Sequence, residues 1–193
     1  MTPVQAVIPQ AAKNALVSML TRCLEESLRT DAYSTWTLQA VNNPEQIGAQ
    51  EFTMLTISSY DFRMFVLLHS SCSAPSMRYA SDALGMSHEQ ITPMRYYDFL
   101  GELGNRFCGA FKRDLGNCFP HMGMSTPNRM RSESLKHLKN LSFAYDTHVN
   151  ARAHNEANFC ASLYVSFYGK REFRVDDVPK VEAQAEIGAL ELF

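Results

Sequence analysis

The sequence predicts an α+β fold in which an antiparallel sheet is packed with helices on a face. Three observations carry this: apolar residues at intervals of three and four that mark amphipathic helices, paired apolar runs joined by short turn-like segments that mark hairpins, and an order in which helices and hairpins do not alternate one for one. A doubly wound parallel sheet would need that strict alternation. A chain of 193 residues is long enough for one domain with its own core.

The elements follow in order. Ala12, Leu16, Met19, Leu20, Cys23, Leu24 and Leu28 recur at helical spacing, so the first helix spans about residues 10–29. "STWTLQAV" reads as a strand with Trp36 in the core. "EFTMLTIS" and "FRMFVLLHS", split by "SYD", read as a hairpin. "APSMRYASDALG" starts helically after Pro75 and stops at Gly85, with Met77, Ala80, Ala83 and Leu84 on its buried side. Pro93 fits the first turn of a long helix ending near Gly116. "LSFAYDTHVNARA" places Leu141, Phe143, Tyr145, Thr147 and Val149 inward against Ser142, Asp146, His148 and Asn150 outward. "FCASLYVSFYG" places Phe159, Ala161, Leu163, Val165 and Phe167 inward, and "HNEAN" joins the two runs as a hairpin. Composition shifts after residue 169, so 1–169 reads as the domain and 170–193 as a C-terminal tail, either a short docking helix or a mobile end.

Composition excludes several functions. A formal net charge of −2 gives no broad attraction to nucleic acid or anionic lipid. The N-terminus lacks the pattern of a secretory signal and no apolar run has the length of a membrane span, so the expected location is cytoplasmic. Five scattered cysteines without a CxxC pattern read as reduced, packing thiols. His148 and His154 flank a turn without a ligand-spaced partner and read as separate surface histidines. "HMGM" at 121–124 reads as loop packing. No phosphate loop, GxSxG elbow or HExxH is present.

The informative stretch is "DFLGELGNRFCGAF", Asp98 to Phe111. At about 100° per residue, Leu100, Leu103, Phe107, Ala110 and Phe111 gather on a core face. Asp98, Glu102, Asn105, Arg106, Gly109 and Arg113 gather on the opposite face. Gly101, Gly104 and Cys108 form a narrow small-residue flank where another element can approach closely. Each interior glycine costs about 1 kcal/mol against alanine, so the three ask for a compensating reason. Either they permit tight packing beneath an ordinary solvated face, or they clear space around an acid and an amide that act together.

The stretch resembles the signature of the CheC/CheX/FliY family of chemotaxis phosphatases: Asp98, then Glu102, then Asn105, with Gly109 one turn later and Pro127 in the place of a downstream proline. The likeness extends over residues 10–168 and, with one acid–amide motif, is nearest the CheX-like branch. It implies a CheC-like fold and a CheX-like phosphatase domain over 1–169. The activity implied is hydrolysis of the aspartyl phosphate on a CheY-like response regulator. In that reading Asn105 orients the attacking water and Glu102 pairs with a lysine of the partner. Asp98, Arg106 and Gly109 lie at the partner surface, and the Mg2+ belongs to the regulator, this chain needing no cofactor of its own. An acyl phosphate has a good leaving group, so positioning of water and balance of charge outweigh making a strong nucleophile. A neutral amide serves that purpose with one acceptor and one donor. Glu102 as general base is the competing role, though an exposed carboxylate is a weak base at neutral pH. The resemblance also implies a homodimer through a free sheet edge. Two other readings stay open: a catalytically silent adaptor that binds a regulator or flagellar switch component, and a sensory domain with a small-ligand pocket.

Overall fold

The computed structural model describes residues 7–138, 140–169 and 173–175. In chain order the elements are α1 (Gln10–Leu28), β1 (Thr37–Val41), β2 (Glu51–Ser58), β3 (Phe62–Ser70), α2 (Ala74–Ala83), α3 (Pro93–Leu115), β4 (Gly123–Met124), β5 (Asn128–Arg131), α4 (Leu135–Leu138), β6 (Tyr145–Arg152) and β7 (Asn158–Phe167). Every strand pairing is antiparallel, in the order β1-β6-β7-β3-β2. The outer edge of β2 is shared: β5 pairs along Glu51–Met54 and β4 at Ile57–Ser58. The fold is thus the expected α+β sheet-and-helix arrangement.

Period-two patterning builds the main core. Leu55 and Ile57 of β2, Met64 and Val66 of β3, and Leu163 and Val165 of β7 face Leu16, Leu20 and Leu24 of α1 and Leu103, Phe107 and Phe111 of α3. Trp36 lies in this core with its indole edge-on to Tyr79 and Phe159. Phe173 and Val175 also belong to it: Phe173 is fully buried against Phe62, Phe119 and Phe167. Residues 170–172 and 176–193, the rest of the expected tail, lie outside the described residues. Cys23, Cys108 and Cys160 are buried free thiols, and burial pushes Cys108 and Cys160 up to about 12.

Three expectations are corrected. First, in α2 Ala80 is buried and Met77 and Ala83 pack half-buried on the core as expected, but Leu84 is 47% exposed and Ser76, Tyr79 and Ser81 are buried instead. Tyr79 sets the helix's rotation, because its ring fills space between Trp36, Phe99 and Phe159 while its hydroxyl donates to the Leu28 carbonyl at 2.9 Å. Second, β6 begins only at Tyr145. Leu141 is 47% exposed, and Phe143 packs on the far face against Phe65 and Tyr164.

Third, His148 is buried rather than on the surface. The far face of the sheet is covered too, by α4 over a second cluster of Phe52, Leu67, Leu135 and Leu138, and by the turn of 3-10 helix at Pro44–Ile47. Under that cover His148 Nδ1 and His69 Nε2 meet the Ser162 hydroxyl at 2.8 and 2.9 Å, and His148 Nε2 lies 3.3 Å from Asp146. Burial, then the neighbouring His148, pushes His69 down to about 3; burial lowers His148 as well, against the pull of Asp146. Both rings are therefore neutral near pH 7, the shared hydroxyl donating to one and accepting from the other. His154 is exposed and stacks on Tyr33.

Candidate functional site

α3 is well started and firmly seated. Thr92 caps it by accepting from the Arg95 amide at 3.3 Å, and Pro93 occupies the first turn, where a missing amide proton costs nothing. On one flank α3 is tied to α1 twice. The Arg106 guanidinium donates to the Ser27 carbonyl at 2.8 Å, and Arg22 pairs with Asp114 at 2.9 Å. On the other flank Arg129 of β5 lies 3.9 Å over the Tyr97 ring and is ion-paired to Glu51 of β2.

Between these flanks the outer face of α3 carries the sequence-predicted residues. Asp98, Glu102 and Asn105 are exposed, and Gly109 continues the stripe half-buried. Glu102 and Asn105 are surface neighbours at a spacing of three. Arg106, grouped with them from periodicity, is exposed but turns toward α1. Pro127 is half-buried in the loop leading into β5.

The three glycines divide the work. A Cβ on Gly104 would meet Thr53 Cγ2 at 3.1 Å and Leu55 Cδ1 at 3.4 Å, so this position lets β2 and α3 approach. Gly101 and Gly109 would meet nothing within 4 Å. The expected small-residue flank is therefore in close contact at Gly104, with Cys108 buried beside it, while Gly101 is open because β2 reaches the helix at Thr53 and Leu55. Gly109 forms the floor of a cleft of about 280 Å³ bordered by Lys112, Arg113, Phe119, Pro120 and Met122. Periodicity did not reveal this cleft, because its apolar wall comes from the loop after α3.

The arrangement supplies one carboxylate and one neutral amide on an exposed helix face. Among the described residues, no cluster of three or more His, Cys, Asp and Glu side chains is placed to hold a metal ion, and no helix is long and apolar enough to cross a membrane.

No family model and no curated protein matches the sequence. Solved structures do match the fold. A chain in the CheX–CheY–BeF3–Mg2+ complex of Borrelia burgdorferi superposes with a TM-score of 0.58 at 10% identity, covering 79% of this chain and 96% of that one. The chemotaxis protein CheX of Vibrio vulnificus gives 0.56 at 12% identity, covering 79% and 97%. A CheC-like chemotactic protein of Shewanella oneidensis gives 0.56 at 11% identity, covering 79% and 96%.

Proposed function

We propose that this chain, which has the fold of CheX and CheC-like chemotaxis proteins, is a CheX-like phosphatase that hydrolyses the aspartyl phosphate of a CheY-like response regulator. One observation carries the reading: in a chain of this fold, Glu102 and Asn105 stand together on the exposed face of a helix fixed on both flanks. Asn105 enters the partner's phosphorylated pocket and holds the attacking water in line with the phosphorus–oxygen bond. The water adds to phosphorus as the bond to the aspartyl oxygen breaks, the carboxylate leaves with the bond's electron pair and a negative charge, and both water protons end on the released phosphate. Glu102 pairs with a lysine of the partner and fixes the register of the helix. The Mg2+ that balances charge on the phosphoryl group belongs to the regulator. Asp98 and Gly109 lie along the contact, and the part of Arg106 not engaged with Ser27 lies at its edge.

The chain acts as a homodimer in this reading. β1 has β6 on one side and no other partner among the described strands, so its outer edge is available for pairing. Light scattering on the purified chain tests the dimer, and a monomer mass counts against it.

The function itself is tested by phosphate release from a CheY-like regulator under acetyl phosphate, with catalytic amounts of the chain or its Asn105→Ala variant. Acceleration by the wild type alone supports the proposal. Binding of the phosphorylated regulator without acceleration replaces it with the adaptor reading.

A further inference from the structure

The outward stripe of α3 changes sign along its length. The exposed Arg95 lies one turn ahead of the rest; from Asp98 onward the order is Asp98 and Glu102, then Arg106 drawn aside to Ser27, then Lys112 and Arg113 beyond Gly109. There the surface opens into the cleft floored by Gly109, with Phe119, Pro120 and Met122 as its apolar wall. The wall is built on the core. Phe119 is held by Phe62 and Phe173 at ring distances of 4.7 and 5.2 Å, and the amides of Cys118 and Phe119 both donate to the Leu115 carbonyl at 2.9 Å. Cations in a last helical turn also complement the helix dipole. That accounts for the two charges, but not for a side-chain-free floor or an apolar wall beside them.

We propose that this cleft receives an acidic loop of the phosphorylated regulator, carrying an apolar side chain, and thereby sets the partner's orientation and which regulators are accepted. The inference rests on the regulator-binding reading above. An aspartyl-phosphate pocket is anionic, because it combines a phosphoryl group with the carboxylates that hold the divalent cation. When that pocket sits over Asn105 with its lysine toward Glu102, its acidic rim extends along the helix. Gly109 lies about 6 Å and Lys112 about 11 Å beyond Asn105 at 1.5 Å per residue. A regulator turned end for end would set its lysine against Lys112 and Arg113, so the charge order of the stripe rejects that pose.

The test is steady-state phosphate release by the full chain over a range of regulator concentrations, at low and high salt. It compares wild type, the Lys112→Glu/Arg113→Glu double variant, Gly109→Leu, and Lys136→Glu on the distant α4 as a charge control. The double variant should raise KM about tenfold or more with kcat within twofold, and should lose most of the wild type's salt dependence. Gly109→Leu should also raise KM, by filling the floor without changing charge. A KM unchanged in the double variant, or shifted only as far as in Lys136→Glu, overturns the inference. Faster turnover in the double variant also overturns it, in favour of occupancy by this chain's own acidic residues 176–193. If the wild type gives no turnover, the same variants are compared by fluorescence anisotropy for binding a regulator loaded with BeF3 and Mg2+. A tenfold loss of affinity then upholds the cleft while the phosphatase reading falls, and absence of wild-type binding removes both.

Discussion

Arg106 reaches from the middle of α3 to the backbone carbonyl of Ser27, at 2.8 Å, in the last turn of α1. That carbonyl is among those a helix leaves without an intrahelical partner, so the bond satisfies an orphan acceptor while it locks two helices. Arg106→Ala should cost about 1–3 kcal/mol, seen as a melting temperature lower by several degrees, because it leaves the carbonyl of Ser27, a residue only 4% exposed, without its charged donor. Circular dichroism melting checks it. No change in melting would show that Arg106 is free to serve the partner surface alone.

Asn105→Ala should leave the melting temperature within about 1 °C of wild type, since exposed substitutions away from special features are nearly neutral. The same variant should bring phosphate release down to the regulator's own rate. Glu102→Lys should instead raise KM, by repelling the partner's lysine, and kcat should survive at saturating regulator. A fall in kcat with unchanged KM for Glu102→Lys would make the carboxylate a chemical participant and exclude the docking role.

The glycines should separate by stability. Gly101→Ala and Gly109→Ala meet nothing within 4 Å and should each stabilise the fold by up to about 1 kcal/mol. Gly104→Ala should gain less than either, because its Cβ would press on Thr53, which is 3% exposed and fixed on a central portion of β2. Gly104→Leu should destabilise by about 2 kcal/mol or more. Urea unfolding of the four variants gives the ranking. Equal effects at all three positions would contradict the packing described at Gly104.

Acid should weaken the fold through the buried histidines. His69 is pushed down from its ordinary 6.5 to about 3, so the unfolded chain takes up a proton that the folded chain refuses. The stability held above pH 6.5 is therefore lost as pH falls from 6.5 toward 3, at up to about 1.4 kcal/mol per pH unit for this ring. His148, also lowered, adds to the loss in the same direction. Melting between pH 7.5 and 4.5 should fall steeply for wild type and less steeply for His69→Asn. Parallel curves would mean that these rings do not carry the dependence.

Phe173→Ala should cost about 3–5 kcal/mol, the usual loss for a fully buried phenylalanine. The shift in denaturant midpoint measures it. A small effect would detach residues beyond β7 from the core.

Much of this protein was legible in its sequence. The hairpin of β2 and β3, the span of α1 and of α3, and the outward position of Asp98, Glu102 and Asn105 all follow from local periodicity, because whether a side chain faces core or solvent repeats with the backbone geometry of its own element. What only the tertiary structure decided depends on residues far apart in the chain. Thr53 distinguishes Gly104 from Gly101 and Gly109, and Ser27 draws Arg106 aside. A cover of loop and short helix, which has no period to read, buries His148. Phe119, backed by Phe173, builds part of the wall of the cleft beside Gly109. Periodicity assigns each residue a face; the packing of distant segments decides what that face meets.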